Sequence, residues 1–248
     1  MLQLALPGSD GSSPIDACVL DAYGTLLDVH SAVAAVLRKG AGGGTIEPET
    51  AQALSLLWRD KQLAYSWLRS LMRHHADFAA VTADALDFAL AAHGLDGDPA
   101  LRTALLQAYE RLAPYPEVRD VLARLAAAGL PLAVLSNGTP GMLETALAHA
   151  GIARHLTATL SIEALGVFKP APEVYALATR RLALPAPRIL FLSSNGWDVH
   201  GAASFGFATI HVDRQKSPPE RLPGRPLHRI ADLGPLPGLL GLETDTGP

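Results

Sequence analysis

The stretch of sequence that decides the fold is CVLDAYGTL, residues 18–26. Residues 18–20 are the end of a largely apolar run over 15–20, and this run predicts a buried strand of a parallel sheet. The run stops at Asp21, and Gly24 and Thr25 follow within one turn. Because ligands gather at the carboxyl ends of strands in an open α/β sheet, Asp21 is placed as a nucleophile or a metal ligand would be. The alternative is that Asp21 only caps the turn that follows.

The composition of the chain limits the classes of protein to which it can belong. Of 248 residues, 49% are apolar and 18% are charged, which is typical of a chain that folds around a core in one large or two smaller domains. The net charge of −4 and the lack of a basic block argue against a nucleic-acid partner. No apolar run approaches the ~20 residues needed to span a membrane. The single cysteine, Cys18, excludes an intramolecular disulfide and favours a reducing cytoplasm.

The region between the first strand and residue 113 is predicted to be helical throughout. A helix over 30–39 leads into the glycine-rich residues 40–44, which are expected to form a loop or hinge. Three further stretches have helical spacing, with no convincing strand among them: 48–74, 77–93 and 99–112. Because this block separates the first strand from the rest of the chain, we expect it to be an inserted helical lid.

Beyond residue 114 the pattern alternates between strands and helices. The predicted strands are 130–135, a short strand within 155–160, 188–192 and 208–212; the predicted helices are 117–128, 140–150, 173–182 and 197–205. Repeated βα units of this kind predict a parallel sheet with helices on both faces. Outside this pattern, residues 1–14 are expected to be a flexible leader without the features of a secretory signal, and an apolar segment near 227–240 to pack on an edge.

Polar side chains follow four of the predicted strands, which brings them to one edge of the sheet. Besides Asp21, they are Ser136 and Asn137 before a helix start, Lys169 in a proline-stiffened segment, and the run SSNGWD at 193–198. Helix-start N–H groups with the Ser136 hydroxyl can hold a carboxylate or a phosphate. A lysine beside Asp21 would favour the charged carboxylate, although alone it could equally be a solvated loop cation.

These motifs together resemble the haloacid dehalogenase superfamily and, within it, the L-2-haloacid dehalogenases. The matching segments are DAYGTLLDVHS (21–31), LWRDKQL (57–63) running on to Met72, RLAP (111–114), LSNG (135–138), Lys169-Pro170 with Tyr175, and SSNGWD (193–198). The resemblance covers roughly residues 15–215. It implies a HAD-like, Rossmann-like α/β core with an inserted all-helical cap domain. The expected boundaries are 15–31 with 114–248 for the core and 32–113 for the cap.

Two positions separate this subfamily from its phosphatase relatives, which use magnesium. The phosphatases generally carry a second aspartate where this chain has Tyr23, and an acidic magnesium ligand where it has Ser194. A site made of Asp21 and Asp198 alone would suit a hard cation poorly. The resemblance therefore implies chemistry without a metal or another cofactor.

The reaction implied by the resemblance is attack of the Asp21 carboxylate on C2 of an L-2-haloalkanoic acid, with inversion. Water then hydrolyses the aspartyl ester to release a D-2-hydroxy acid. In the implied mechanism, Asp198 and Asn195 activate the water, with Lys169 and Ser193 nearby, and Thr25 supports the oxyanion. Ser136 and Asn137 bind the substrate carboxylate, and Tyr175 orients Lys169 or Asp21. Arg59 accepts the halide. The implied walls of the pocket are Tyr23, Leu63, Phe78 and Trp197.

One departure from the family pattern lies beside the expected halide acceptor. Asp60 stands where the family is expected to have glutamine. It could pair with Arg59, repel the substrate carboxylate, or point into solvent. The alternatives to a dehalogenase are a phosphatase acting on a small phosphate ester and an inactive binding module. The family also suggests a homodimer through lid helices, with Trp67, Leu68 and Leu71 as a seam, although these side chains could instead be internal to the lid.

Overall fold

The computed structural model describes residues 2–5, 11–39 and 46–242. The strands in this part of the chain are β1 (Leu2–Ala5), β2 (Ser12–Ile15), β3 (Ala17–Leu20), β4 (Leu132–Ser136), β5 (Ala158–Ser161), β6 (Ile189–Ser193), β7 (Ala208–Val212) and β8 (His228–Ile230). The helices are α1 (Val29–Lys39), α2 (Pro48–Met72), α3 (Phe78–Ala92), α4 (Pro99–Glu110), α5 (Val118–Ala127), α6 (Pro140–His149), α7 (Pro172–Leu182), α8 (Gly196–Phe205) and α9 (Leu236–Leu239).

The central sheet has the strand order β5-β4-β3-β6-β7-β8, and every neighbouring pair is parallel. Cys18 of β3 lies between Leu132 of β4 and Leu190 of β6, so β3 is a central strand. Every residue of β3, β4, β6 and β7 is buried, because helices cover both faces of the sheet. The parallel α/β sheet predicted from the alternating pattern is confirmed, and so is the Rossmann-like core that the resemblance implies.

Four helices, α1 to α4, lie between β3 and α5 in the sequence and pack on one another. Leu54 and Trp58 of α2, Leu86 of α3 and Leu105 of α4 are buried in a hydrophobic core that continues into the strands of the sheet. Trp58 also donates its indole N–H to the carbonyl of Thr82 in α3 at 2.9 Å, which fixes α2 against α3. We call residues 29–110 the helical insertion. The predicted glycine-rich hinge at 40–44 lies outside the described residues.

Two linkers join the helical insertion to the sheet, and they run side by side. The backbone N–H of Tyr115 donates to the carbonyl of Leu26 at 3.1 Å, and that of Asp28 donates to the carbonyl of Ala113 at 2.9 Å. The turn in the first linker depends on Gly24, whose φ of +84° is costly for any residue with a Cβ atom. Both linkers therefore pass directly beside the carboxyl end of β3.

The structure differs from the sequence prediction at the start of the chain. Residues 1–14 were expected to be a flexible leader, but β1 and β2 pair as an antiparallel ribbon and Leu4 is fully buried. The difference arises because Leu4 is apolar and, in its short strand, lies close enough to the hydrophobic core to be buried there. At the other end, β8 pairs with β7 at the edge of the sheet, as expected for the segment 227–240. Among the described helices, none has the length and apolar character of a membrane span.

Candidate active site

Asp21 lies directly after β3, and three side chains bind its carboxylate, one from its own loop and two from other parts of the chain. The ammonium group of Lys169 donates to Oδ1 at 3.1 Å. The hydroxyl of Thr25 donates to Oδ2 at 3.0 Å, and the amide of Asn195 donates to the same oxygen at 3.0 Å. The two carboxylate oxygens therefore differ, since Oδ1 faces a cation and Oδ2 accepts two neutral donors. The convergence follows from the parallel sheet, because the carboxyl ends of its strands meet at one edge.

Lys169 joins Asp21 to a second carboxylate, that of Asp198 near the start of α8. Its ammonium group lies 2.8 Å from Asp198 Oδ2, and it is almost completely buried. Burial lowers the pKa of Lys169, but the carboxylates of Asp198 and Asp21 outweigh it and hold that pKa above its ordinary value. The lysine is therefore a fixed cation between two acids rather than the solvated loop cation that the sequence also allowed.

Asp198 is fully buried, and this burial raises the pKa of its carboxyl above the ordinary value against the attraction of Lys169. Tyr175 of α7 donates its hydroxyl to Asp198 Oδ1 at 2.8 Å. The resemblance led us to expect that Tyr175 would orient Lys169 or Asp21, but the structure places its hydroxyl on Asp198. The reason is that α7 packs against α8, which carries Asp198. A buried carboxylate with a raised pKa suits a general base.

Arg59 of α2 reaches the same cluster from the helical insertion. Its guanidinium donates to Asn195 Oδ1 at 3.1 Å and to Gln62 Oε1 at 2.6 Å. Because the amide nitrogen of Asn195 is bound to Asp21, this one side chain connects the arginine to the carboxylate. Arg59 is thus part of the site and not a surface arginine of an amphipathic helix.

The loop after β4 presents the predicted anion-binding groups. Ser136 is buried and its hydroxyl accepts from the N–H of Gly138 at 3.2 Å. Asn137 Oδ1 accepts from the backbone N–H of Lys169 at 3.0 Å, which connects this loop to the lysine segment. The cap of α6 is Thr139, whose hydroxyl accepts from the N–H of Met142. Ser136 and Asn137 are therefore not used as the helix cap.

Comparison with known proteins agrees with this geometry. A family model described as haloacid dehalogenase-like hydrolase matches residues 15–206. The chain belongs to this family. It is 43% identical to (S)-2-haloacid dehalogenase 4A of Burkholderia cepacia over 90% of this chain and 94% of that protein.

Solved structures of family members have the same fold. One is the L-2-haloacid dehalogenase of Xanthobacter autotrophicus with chloropropionic acid covalently bound, which has a TM-score of 0.81 and 38% identity and covers 93% of this chain and all of that one. Another is a dehalogenase with an intermediate complex, which has a TM-score of 0.86 and 42% identity over 92% of this chain and 98% of the other. The resemblance inferred from the motifs is confirmed.

A cleft of 620 Å³ lies between the helical insertion and the strand ends, and it is lined by Arg59 and Asn195 of the site. Asp21, Lys169, Asp198, Ser136 and Asn137 lie behind this lining. Of the predicted walls, Tyr23, Leu63 and Trp197 line the cleft. Phe78 does not line it, and instead packs behind Tyr23 with ring centroids 6.2 Å apart. The buried hydroxyl of Tyr23 has no hydrogen-bond partner within the described residues.

The positions of two predicted residues, Asp60 and Ser193, limit the roles that they can have in the site. Asp60 is exposed at the mouth of the cleft, and none of the ion pairs in the described part of the chain joins it to Arg59. Ser193 is buried, and its hydroxyl accepts from the N–H of Asn195 at 3.1 Å, so it supports the turn that carries Asn195.

The donor set of the site does not fit the magnesium ion of the family's phosphatases. The oxygen groups around Asp21 already have partners: the hydroxyl of Thr25 binds Asp21 itself and accepts from the backbone N–H of Ser194, and Asp198 is bound to Lys169. Burial raises the pKa of Tyr23, so its phenol is not an anionic ligand at neutral pH. Over the described ranges, no cluster of three or more histidine, cysteine or acidic side chains is arranged to hold a metal. Mg²⁺ prefers six oxygen ligands, which this set does not supply.

Gln62 positions Arg59, a role that no motif in the sequence indicated. Gln62 is fully buried, and its amide nitrogen donates to the hydroxyl of Thr82 at 2.7 Å, which in turn donates to the carbonyl of Phe78 at 2.6 Å. The available signal was the spacing of Arg59 and Gln62, because residues three apart lie on one face of a helix.

Proposed function

We propose that this chain is an (S)-2-haloacid dehalogenase, which hydrolyses L-2-haloalkanoic acids to D-2-hydroxy acids and halide through an aspartyl ester. The observation that carries the proposal is the asymmetric carboxylate of Asp21, with Lys169 on Oδ1 and two neutral donors on Oδ2. The names of the relatives support the same substrate class. Tyr23 and Ser194 at the two positions that bind magnesium in phosphatases support carbon rather than phosphorus as the centre attacked.

The first step is displacement of halide by Asp21. Oδ1 attacks C2 on the face opposite the halogen, the new C–O bond forms as the carbon–halogen bond breaks, and the halide leaves with the bonding electrons. The configuration at C2 inverts once. Oδ2 remains the carbonyl oxygen of the ester because Thr25 and Asn195 already hold it.

Arg59 accepts the halide and helps to place the substrate. A guanidinium held at two points, on Gln62 and on Asn195, can follow the negative charge as it leaves carbon. Ser136, Asn137 and the N–H groups at the start of α6 bind the substrate carboxylate, beside the backbone of the segment that carries Lys169. Tyr23, Leu63 and Trp197 exclude water while the ester forms.

The second step is hydrolysis of the ester at the Asp21 carbonyl carbon. Asp198 takes a proton from the attacking water, which its raised pKa favours. Negative charge develops on Oδ2, where the hydroxyl of Thr25 and the amide of Asn195 stabilise it. The bond between the carbonyl carbon and Oδ1 of the substrate ester then breaks, and the hydroxy acid leaves with the proton from Asp198. No metal takes part in either step.

The cap domain of this enzyme covers residues 32–113, which is most of the helical insertion, and the core domain covers residues 15–31 and 114–248. We also propose a homodimer through the exposed face at the end of α2, where Leu68, Leu71 and Met72 are 50, 80 and 59% exposed. Trp67 is not part of this seam, since its ring packs against Trp197 with centroids 5.4 Å apart. A cytoplasmic location agrees with the single, buried Cys18.

The experiment that tests the function measures chloride released from L-2-chloropropionate, with D-2-chloropropionate as the matched control. A second arm measures phosphate released from a generic phosphate ester with magnesium or with a chelator. We expect chloride from the L-acid alone, at a rate that the chelator does not change. Phosphate release that depends on magnesium would establish the phosphatase instead, and no product in either arm would establish a binding module.

Attack on the ester carbonyl has its own readout. After repeated turnovers in heavy-oxygen water, the peptide that contains Asp21 should gain mass in its carboxylate, because water enters the aspartate and not C2. Label in the hydroxy acid after a single turnover with excess enzyme would contradict the covalent mechanism.

A further inference from the structure

Arg214 is not used in the reaction proposed above, yet its side chain is bound to the nucleophile loop. It follows β7, is 10% exposed, and lines the cleft. Its Nε and Nη2 atoms donate to the backbone carbonyl of Thr25 at 3.2 and 2.8 Å. Nη2 also donates to Glu117 Oε1 at 2.7 Å, and the guanidinium carbon lies 3.6 Å from the ring centroid of Tyr115. Two nitrogens and one face of the guanidinium therefore have partners of defined position.

The partners of Arg214 come from both linkers of the helical insertion. Thr25 belongs to the linker that enters α1, whereas Tyr115 and Glu117 belong to the linker that returns from α4. Glu117 is fixed in turn by the backbone N–H of Leu233, which donates to the same oxygen at 3.2 Å. Burial raises the pKa of Glu117, but the hydrogen bonds from Arg214 and from backbone N–H groups outweigh it and hold that pKa below its ordinary value. The arginine therefore joins the two linkers where they pass the nucleophile.

Thr25 passes this constraint to Asp21. Its carbonyl is held by Arg214, while its hydroxyl donates to Asp21 Oδ2 at 3.0 Å and accepts from the backbone N–H of Ser194 at 2.8 Å. A shift of the Thr25 backbone would thus move the donor on the oxygen that becomes the oxyanion. A guanidinium can give two donors to one carbonyl and stack on a ring at once, which the single ammonium group of a lysine cannot do.

We propose that Arg214 is a positioning residue for ester hydrolysis: through Thr25 it fixes the donor on Asp21 Oδ2, and it keeps that geometry aligned with both linkers of the helical insertion. The inference rests on the proposed function, because it assigns Arg214 to the second step of that reaction. Formation of the ester uses Oδ1, which Lys169 holds independently of Thr25. Loss of Arg214 should therefore slow hydrolysis of the ester more than its formation.

The kinetic test compares Arg214→Met and Arg214→Lys with Arg188→Met. Arg188 is a matched control because it pairs with Asp16 through two contacts of 2.7 Å before β6, at the opposite end of the sheet. The chloride released in the first turnover reports ester formation, and steady-state chloride release reports hydrolysis. We expect Arg214→Met to keep the first-turnover rate within about threefold and to lose about tenfold or more in the steady state, since small misplacements in a site cost this much.

Three further results are expected of the same variants. The ester should accumulate on Arg214→Met as added mass of the intact protein, Arg214→Lys should fall between it and the wild type, and Arg188→Met should change neither rate. Equal losses in both steps, or losses in Arg188→Met as large as those in Arg214→Met, would overturn the proposal. If Arg214→Met does not fold, Arg214→Lys, which keeps the charge, carries the same comparison.

A measurement independent of catalysis separates this inference from the proposed function. The nucleophile turn is closed by the N–H of Gly24 on the carbonyl of Leu27 at 2.8 Å and by the N–H of Leu26 on the carbonyl of Ala22 at 2.9 Å. Hydrogen exchange of these amides should be faster in Arg214→Met than in the wild type or Arg188→Met, with strand amides unchanged. Unchanged exchange at this turn would overturn the role of Arg214. A wild-type protein that releases no halide from any 2-halo acid would overturn the proposed function alone.

Discussion

On the sheet side of the cleft, Asp21, Lys169 and Asp198 are almost entirely buried and bind one another, whereas on the helix side Arg59 is half-buried and Asp60 is exposed. The sheet side is fixed by strands that end at one edge, so its geometry is a property of the core. The geometry of the helix side depends on how α2 packs and on one buried amide, that of Gln62. This difference separates the bond-forming chemistry proposed for the sheet side from the halide acceptance proposed for the insertion. The two sides should therefore respond differently to mutation.

The largest expected effect comes from the sheet side, through Asp21→Asn. The amide is a poor nucleophile and keeps nearly the same shape, so chloride release from L-2-chloropropionate should fall at least ~10⁴-fold. Thermal unfolding by circular dichroism checks that the variant folds. A folded Asn variant that keeps more than a hundredth of the activity would show that Asp21 does not form the ester.

Next is a change in pH dependence from Tyr175→Phe. The hydroxyl of Tyr175 lowers the pKa of Asp198, against the larger effect of burial, so its removal raises that pKa further. Asp198 must be unprotonated to act as a base, so the rate falls as the pH falls through its pKa. The acid limb of kcat should therefore move to higher pH in the variant.

The matched control for Tyr175→Phe is Phe205→Leu, since the ring of Phe205 packs on Tyr175 with centroids 6.0 Å apart and carries no hydroxyl. This control should leave the acid limb in place. A limb that moves equally in both variants would assign the shift to packing around Tyr175 and not to its hydrogen bond.

On the helix side, Gln62→Met should lower the rate of halide release in the first turnover by about tenfold, because Arg59 loses the contact that orients it while the buried volume stays similar. The measurement is first-turnover halide release, chloride from the chloro acid and bromide from the bromo acid. Bromide is the better leaving group and needs less help, so the loss should be smaller with the bromo acid.

Arg69→Met is the control for Gln62→Met, since Arg69 lies on the same helix as Gln62. It forms a surface ion pair with Asp84 of α3, so its replacement should have little effect. Equal losses for both halogens would assign the effect of Gln62 to the packing of α2 rather than to the halide acceptor.

The smallest expected effect is that of Asp60→Gln. Removal of one exposed negative charge from the mouth of the cleft should lower KM for an anionic substrate about two- to threefold and leave kcat unchanged. The change should shrink at high salt, since exposed charges are screened. Asp84→Asn, an exposed acid elsewhere on the insertion, is the control, and a kcat change in Asp60→Gln alone would show that Asp60 acts on the bound state.

The sheet and the four polar strand ends could be predicted from the sequence because each rests on a local pattern. An apolar run followed by Asp21, or by Ser136 and Asn137, needs only the topological rule for parallel strands to place both in one crevice. The predicted strands and helices agree with those of the structure for the same reason, and their boundaries differ by a few residues.

The contacts that depend on packing between elements could not be predicted in this way. The resemblance assigns Tyr175 to Lys169 or Asp21, but the packing of α7 on α8 puts its hydroxyl on Asp198. Gln62 and Arg214 were missed because their partners are fixed by the tertiary structure. The burial of Leu4 was missed because a polar, glycine-containing segment follows it in the sequence.

The amide of Asn195 connects the two sides, since one end binds Asp21 and the other binds Arg59. Any redesign that tilts α2 to admit a bulkier acid would pull on this side chain and so rotate the nucleophile away from its line of attack. Protein engineers who widen the specificity of this enzyme should therefore vary position 195 together with α2. Mutations in the helix alone would widen the substrate range but lower the turnover rate.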